Sequence, residues 1–152
     1  MIEYAVEKLD TCLEEIEPLL REHYHEIAWY KDKIPYDPDF ERYQTIEDAG
    51  ILHIVTARDE GKLIGYFVSL ISYGMHYMST KYAVNDVLFL HPDYRNGMTA
   101  YKMFKYAFKV LKDDEGVDCI TIHMKTDFPF DRLCESLGMR KQEYLYSIYV
   151  GE

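Results

Sequence analysis

Apolar residues recur along the chain with two different periods, one typical of helices and the other of strands. The helical period comes first and predicts an amphipathic helix that ends near Ile27. Its apolar positions are Leu9, Cys12, Leu13, Ile16, Leu19 and Leu20. Thr11 and Glu14 fit a capping box at the start of this helix, and Pro18 predicts a kink or a break inside it. A second short helix is predicted over residues 38–48, because Gly50 then follows as a natural C′ residue.

The period changes after Gly50. Residues 51–58 and 63–72 are runs typical of strands, and the segment Asp59-Glu60-Gly61-Lys62 between them predicts a hairpin turn. The same reasoning predicts further strands over 2–6, 82–91, 117–124 and 143–150, and helices over 99–112 and 129–137. The resulting order β-α-α-β-β-β-α-β-α-β predicts one mixed α/β domain spanning residues 1–152.

Composition narrows the class of protein. With 152 residues, 48% of them apolar and 29% charged, the chain is expected to fold as one soluble domain. Its three cysteines are widely spaced and form no Cys-x-x-Cys pair, which argues against a disulfide framework and against a zinc site, so we expect no metal. The N-terminus does not resemble a signal peptide, and the longest apolar stretch, Leu63 to Ile71, is too short to span a bilayer. We therefore expect a cytoplasmic protein that does not bind membranes.

The net charge of −10 is unevenly distributed. Residues 1–60 contain 16 acidic and 6 basic side chains, whereas the remainder contains 11 of each. An acidic surface disfavours nucleic acids and anionic membranes and favours cationic partners. The alternative is that these acidic residues serve only solubility.

The segment from Asp86 to Ala100 is the most informative for chemistry. A strand ends at Leu90, Pro92 stops it, and a short loop containing Gly97 leads to a helix that begins near Thr99. The first backbone N–H groups of a helix have no partner within the helix, and the helix dipole adds positive potential, so this place suits an anion. An exposed cationic stripe is expected to follow along the helix, although its distal two members could simply form a solvated face. The stripe consists of Lys102, Lys105, Lys109 and Lys112.

This segment resembles the acetyl-CoA motif of the GNAT N-acetyltransferase superfamily. Leu90-His91-Pro92 matches the end of the motif's strand, and residues 95–100 match its loop. The order of elements is similar to that family along nearly the whole chain. Within that family, the chain looks closest to a branch common among bacteriophages. The residues that carry this likeness are His23-Tyr24-His25-Glu26, Lys31-Asp32-Lys33-Ile34-Pro35, Gly65-Tyr66, His76-Tyr77, Asp86 and Leu137-Gly138. A single-domain GNAT-like fold is implied, with a largely antiparallel mixed sheet, flanking helices and a splayed strand pair for acetyl-CoA.

The resemblance implies an acetyl-CoA-dependent N-acetyltransferase. A backbone N–H at the strand end, that of Leu90 beside Phe89, would stabilise the thioester oxygen, and loop N–H groups together with Arg95 would hold the pyrophosphate. The loop residues are Arg95, Asn96, Gly97, Met98, Thr99, Ala100 and Tyr101. Met98 stands where the motif has its first glycine, so either the loop uses Gly97 as its conformationally permissive position or the cofactor binds weakly. We expect the first, because Arg95, Ala100 and the strand keep their places in the motif.

Candidates for the two proton transfers remain open. Candidate bases are Asp86, Glu26, His76 and His23. Asp86 lies in an apolar strand, where desolvation would raise its pKa, or else it is paired with a lysine or a backbone N–H. Counting back from Gly138, where family members have a tyrosine acid, gives Cys134, which could equally be a small core residue. Tyr144 and Tyr146 on the last predicted strand are alternative acids.

The acceptor is expected to be a primary amine, either a small cationic molecule or a protein lysine. Aromatic and acidic side chains in the loop around Trp29, Tyr30 and Tyr36 suit an ammonium group, although the aromatic residues could also cap the sheet. A phage origin would place the protein in the host cytoplasm, and a homodimer stays open. The alternative function is an inactive or weakly active binding protein of the same fold that uses its acidic face to hold a basic partner. A nucleotide-binding regulator is less favoured, because the chain contains no phosphate-loop or dinucleotide-binding motif.

Overall fold

Five strands form one mixed sheet in the computed structural model, which describes residues 1–152. The strands are β1 (Ile2–Glu7), β2 (Leu52–Asp59), β3 (Lys62–Tyr73), β4 (Lys81–Leu90) and β5 (Cys119–Thr121). They lie in sequence order, and neighbouring strands are antiparallel except for β4 and β5, which are parallel. The predicted mixed, largely antiparallel sheet is confirmed.

Helices cover both faces of this sheet. They are α1 (Leu9–Ile27), α2 (Phe40–Asp48), α3 (Thr99–Asp113) and α4 (Asp131–Ser136), with a 3₁₀ turn at Pro92–Tyr94. On one face, Cys12 and Ile16 of α1 pack in a buried cluster with Ile54 and Tyr66 of the sheet. On the other face, Phe104 of α3 packs in a second buried cluster with side chains of the same strands. Because both faces are buried, β2 and β3 read in the sequence as nearly continuous apolar runs.

The turns and helix ends agree largely with the prediction. Glu60 and Gly61, with φ of 48° and 83°, form the tight hairpin turn between β2 and β3. The capping box expected at the start of α1 is wrong, because Lys8 is the N-cap residue and the Thr11 hydroxyl donates to the Lys8 carbonyl at 2.7 Å. The Leu9 N–H is instead bonded to the buried carboxylate of Glu47 on α2, at 2.8 Å. The helix then continues through Pro18 without a break.

The last predicted strand, over residues 143–150, is also wrong. These residues form no helix or strand, and Tyr144, Leu145, Tyr146, Ile148 and Val150 are exposed. The tail contacts the loop after α1, where the Tyr30 hydroxyl donates to the Ser147 carbonyl at 3.5 Å. A strand forms only where a neighbouring edge satisfies its backbone groups, and the three-residue β5, shorter than the predicted 117–124, gives this segment no such partner.

An extra residue in β4 reverses which side chains face each helix layer. Ala83 and Leu90 both belong to the cluster beneath α3, although they are seven residues apart and strict alternation would place them on opposite faces. The register explains this, because Val68 of β3 lies opposite Val87 and Ser69 lies opposite Asn85, which leaves Asp86 unpaired. Asp86 is therefore the extra residue of a β-bulge, a feature common beside active sites.

Candidate active site

The candidate site lies where β4 and β5 separate. The two strands pair only at Tyr82–Cys119, Ala83–Ile120 and Val84–Thr121, so the rest of β4 has no neighbour on that side. At its end, the His91 N–H donates to the Ile64 carbonyl at 2.8 Å, and Leu90 lies opposite Gly65. In an antiparallel pair this pattern turns the N–H and C=O of Leu90 away from β3, toward the open side. The backbone N–H expected to act as the oxyanion donor thus faces the cleft between the strands.

Gly65 allows β3 to approach this end of β4 closely. A Cβ at Gly65 would lie 2.7 Å from the Phe89 carbonyl oxygen and 3.3 Å from the Leu90 Cα. These are backbone atoms, so any larger residue would push the strands apart at the candidate site. The close approach of the two strands is a physical reason for glycine at position 65, which the sequence marked only through the family resemblance.

The loop before α3 has the geometry expected of an anion site. Gly97 has φ of 90°, and nothing lies within 4 Å of where its Cβ would be. Met98 is the N-cap residue, has an ordinary φ of −101° and makes no side-chain cap, so the first N–H groups of α3 are not bonded to its side chain. The expectation that Gly97, rather than Met98, supplies the permissive backbone is confirmed. Met98 needs no glycine, and its side chain is 55% exposed.

The lysine stripe on α3 is exposed along its whole length. Lys109, in its distal half, forms an ion pair with Asp113 at 3.1 Å, and Lys105 lies over the Tyr101 ring at 5.5 Å. Lys102 and Lys105 are nearest the start of the helix, where an anion would bind.

Arg95 makes several contacts within the chain. Its Nε donates to the Leu90 carbonyl at 2.7 Å, and its Nη1 and Nη2 donate to the two carboxylate oxygens of Glu26 at 2.6 and 2.8 Å. The guanidinium also lies 5.4 Å from the centre of the Phe89 ring. The hydrogen bond from Arg95 lowers the pKa of Glu26 below its ordinary value, which makes this carboxylate a weaker base than the sequence suggested.

A histidine and a tyrosine pack beside this ion pair. The His23 Nδ1 lies 3.1 Å from the hydroxyl of Tyr66, which is fully buried, and the His23 ring lies 5.5 Å from the ring of Phe89. Burial lowers the pKa of His23 to about 4, so the imidazole is neutral near pH 7. Sequence reasoning missed Tyr66 as a polar group here, because its place in an apolar strand concealed its hydroxyl.

Asp86 does not have the surroundings that its apolar neighbours predicted. Its side chain is exposed, because the bulge turns it out of the sheet, so the expected desolvation is absent. The carboxylate accepts a hydrogen bond from the Tyr43 hydroxyl of α2 at 2.5 Å. Burial raises the pKa of Tyr43, which therefore stays protonated and acts as the donor. Behind the bulge, the buried Asn85 amide donates to the Val68 and Val87 carbonyls at 3.0 and 3.3 Å.

The side chains of the remaining candidate residues form no hydrogen bond with Leu90, Arg95 or Asp86. His76 is exposed in the loop before β4, at the opposite end of that strand from Leu90, which corresponds to roughly 30 Å at about 3.3 Å per residue. His76 is therefore distant from the Leu90 end of β4. Cys134 on α4 is partly buried, and burial raises the pKa of its thiol. Tyr144 and Tyr146 lie in the exposed tail, with Tyr146 at 91% exposure.

The aromatic loop between α1 and α2 packs back onto α1. The Tyr24 hydroxyl donates to the Ile34 carbonyl at 2.6 Å, and the Tyr36 hydroxyl donates to the Glu17 carbonyl at 3.2 Å. The Nζ of Lys125, from the segment after β5, lies 5.7 Å from the centre of the Trp29 ring in this loop. Lys125 was not singled out from the sequence, since nothing local marks it.

No group of three or more His, Cys, Asp or Glu side chains is placed to hold a metal ion. None of the helices is both long and apolar enough to span a bilayer.

Comparison with known proteins finds one family. Residues 12–139 match the model of the acetyltransferase (GNAT) family. No curated protein matches the chain.

Solved structures resemble the fold over its whole length. An aminoglycoside acetyltransferase from an uncultured soil metagenomic sample aligns with a TM-score of 0.76 at 14% identity, over 99% of each chain. A ribosomal-protein-alanine N-acetyltransferase from Brucella melitensis biovar Abortus 2308 gives 0.72 at 16% identity, over 99% of this chain and 100% of that one. A predicted acetyltransferase from Clostridium acetobutylicum, solved with acetyl-CoA, gives 0.69 at 11% identity, over 99% and 97%. At such identities the likeness shows the fold alone, and it confirms the fold expected from the sequence.

Proposed function

The chain belongs to the acetyltransferase (GNAT) family, and from that premise we propose that it transfers the acetyl group of acetyl-CoA to a primary amine. One juxtaposition carries the proposal. The Leu90 N–H faces an open cleft. Only a few residues farther along the chain α3 begins, and there the N-cap side chain makes no hydrogen bond to the helix. The first group suits the oxygen of a thioester carbonyl and the second suits a pyrophosphate.

The chain's own residues divide the work of such a transfer. Backbone N–H groups from Gly97 to Tyr101 hold the phosphates, and Lys102 and Lys105 add positive potential nearby. The amine attacks the thioester carbonyl directly, and the Leu90 N–H stabilises the negative charge that develops on the carbonyl oxygen. The C–S bond then breaks, and CoA leaves as a thiolate that takes up a proton from solvent. Asp86 takes the proton from the amine. Since Asp86 and Leu90 are separated by four residues, or about 13 Å of strand, this proton passes along a chain of several water molecules.

The acceptor approaches from the side of α1 and α2. This side carries the acidic excess of residues 1–60 together with the aromatic loop, a combination that suits an ammonium group. Among the similar structures, one acts on an aminoglycoside and another on a ribosomal protein, so the fold serves small amines and proteins alike. We include both a small cationic amine and a protein lysine in the proposal.

The resemblance to the bacteriophage branch belongs to the same proposal. Four residues that carry this resemblance lie in the C-terminal half of β4 or pack near it. They are His23, Glu26, Tyr66 and Asp86. Their proximity supports a shared site. We also include in the proposal that the protein acts in the cytoplasm of a host cell and that it assembles as a homodimer.

An amine panel tests the function, with release of free CoA as the readout and acetyl-CoA binding measured by the rise in melting temperature. We expect millimolar acetyl-CoA to raise the melting temperature, because a ligand that binds only the folded state stabilises it. We also expect CoA release with at least one amine among polyamines, simple monoamines and lysine peptides. No thermal shift, or no CoA release with any amine, would contradict the proposal.

A matched pair of glycines locates the binding site. Gly97→Ala and Gly116→Ala each place a Cβ at positive φ, 90° and 66°, in open space, so each should cost a similar amount of stability, about 1–2 kcal/mol. Only Gly97→Ala alters the loop before α3 and should weaken acetyl-CoA binding by at least about tenfold, the effect of roughly 1.4 kcal/mol. Equal loss of binding in both variants would remove the site from this loop.

A further inference from the structure

Arg95 links three parts of the candidate site that are distant in sequence. It bonds to the Leu90 carbonyl at the end of β4 and to both carboxylate oxygens of Glu26 on α1, and it lies against the ring of Phe89. We propose that Arg95 and Glu26 are positioning residues that hold the Leu90 N–H in place for catalysis, and that neither a phosphate contact of Arg95 nor base catalysis by Glu26 is their main role. The proposal rests on the proposed acetyl transfer and assigns two of its residues.

The peptide that follows Leu90 is held from both sides. Its N–H, that of His91, donates to Ile64 of β3 at 2.8 Å, and its carbonyl, that of Leu90, accepts from the Arg95 Nε at 2.7 Å. Beyond Val84, β5 no longer pairs with β4, so no neighbouring strand holds this peptide on its open side. Arg95 takes the place of the missing strand, and the orientation of the Leu90 N–H depends on it.

Glu26 fixes the other end of Arg95. The two carboxylate oxygens bind Nη1 and Nη2 at 2.6 and 2.8 Å, the bidentate geometry that orients a guanidinium plane most strictly. Phe89, which is 2% exposed, supports the guanidinium from below. Three of the five N–H groups of Arg95 therefore donate within the chain, and a phosphate could reach only the second N–H of each Nη, with Glu26 holding the guanidinium plane in place.

The same contacts make Glu26 a poor base. The hydrogen bond from Arg95 lowers the pKa of Glu26, and His23 beside it is neutral, so this cluster holds its charges fixed near neutral pH. Asp86, by contrast, is exposed and is bonded only by the Tyr43 hydroxyl. The structure thus separates the two carboxylates into one that orients and one that is free to accept a proton.

Arg95→Lys distinguishes a positioning role from a phosphate contact. A lysine keeps the positive charge and can serve a phosphate as a point charge, but it cannot bond to Leu90 and to both oxygens of Glu26 in one plane. We expect Arg95→Lys and Glu26→Gln each to lower kcat at least about tenfold while the acetyl-CoA dissociation constant changes less than about threefold, within the range of measured effects of losing a positioned donor. The double variant should be no slower than the slower single one, because both changes break one unit.

Hydrogen exchange of the unliganded protein tests the positioning without any turnover. We expect faster exchange of the His91 amide, which donates to Ile64, in both variants, since the peptide that carries it is then held from one side only. Lys141→Gln and Asp131→Asn, which break an exposed ion pair between α4 and the segment that follows it, are the matched controls and should leave exchange and turnover unchanged.

Three results would overturn the positioning role. One is unchanged amide exchange in Arg95→Lys and Glu26→Gln. The second is normal turnover in Arg95→Lys combined with a tenfold weaker acetyl-CoA affinity in Arg95→Gln, which would make Arg95 a phosphate contact. The third is loss of turnover and of the acidic limb of the pH–rate profile in Glu26→Gln alone, which would make Glu26 the base. If the wild-type protein neither binds acetyl-CoA nor releases CoA, the proposed function fails while the exchange experiment still tests the contact.

Discussion

Asp86 and Glu26 are carboxylates near the same end of β4, but their partners give them different chemistry. Glu26 is tied to a guanidinium by two bonds, whereas Asp86 projects from a bulge and accepts one bond from a neutral phenol. A base must be free to accept a proton from the acceptor amine or from a water that contacts it. The contacts therefore favour Asp86 as the base. The sequence alone left two interpretations of this residue, a base or a paired structural carboxylate.

Asp86→Asn should slow acetyl transfer about 100-fold or more, since general-base catalysis typically contributes 10²–10⁴. The thermal shift by acetyl-CoA should stay as in the wild type, because Asp86 lies apart from the loop before α3. Tyr43→Phe keeps the carboxylate but removes the bond that orients it, so a smaller loss is expected. Glu3→Gln, which removes one exposed charge from β1, is the control. Normal turnover in Asp86→Asn would leave Asp86 with a structural role only.

The elements themselves were predictable wherever local pattern decides them. The helix predicted over 99–112 is observed as Thr99–Asp113, and the hairpin turn lies where its glycine placed it. Predictions failed where a distant partner decides. The start of α1 is bonded by Glu47 from another helix, and the tail 143–150 has strand-like composition but no edge to pair with. The exposure of Asp86 depends on a bulge, which alternation of side chains along one strand does not reveal.

The bulge in β4 has a testable support in Asn85. This side chain is 5% exposed and its amide donates to the carbonyls of Val68 and Val87, the residue pair next to the bulge. Asn85→Ala should lower the free energy of unfolding by about 1–3 kcal/mol, measured by urea denaturation, because buried acceptors lose their donor. Turnover should also fall, since the bulge sets the direction of Asp86.

Ser69 provides the matched control for that experiment. It lies directly opposite Asn85 on β3 and is fully buried, but its hydroxyl has no hydrogen-bond partner. Ser69→Ala should therefore be neutral or stabilising by up to about 1 kcal/mol, because a buried polar group without a partner is removed. Similar destabilisation by both substitutions would mean that packing, and not the amide bonds, supports the bulge.

The charge asymmetry of the sequence becomes an asymmetry between two faces of the molecule. The acidic excess lies largely on α1, α2 and the loop between them, and the lysine stripe lies on α3 across the sheet. Part of the acidic excess is neutralised within the fold, as by Arg58 with Glu7 and Glu15 at 3.0 and 2.8 Å. Other acidic residues of this region, including Asp32, Asp37 and Glu41, are exposed and form no ion pair. An acceptor cation and the anionic acetyl-CoA are thus attracted to opposite faces.

This arrangement predicts a salt dependence that differs between acceptors. From about 0.02 M to about 0.2 M salt the Debye length falls from roughly 20 Å to 7 Å, so attraction of a polyamine to the acidic face should be screened more strongly than that of a monoamine. We expect the ratio of their kcat/KM values to fall about threefold or more. One triple variant neutralises Asp32, Asp37 and Glu41 and should remove most of this salt dependence. The control variant changes the net charge equally by neutralising the exposed Glu3, Glu143 and Glu152, and it should keep the salt dependence. A ratio that is independent of salt, or equal effects of the two triple variants, would mean that the acidic face does not attract the acceptor and serves solubility instead.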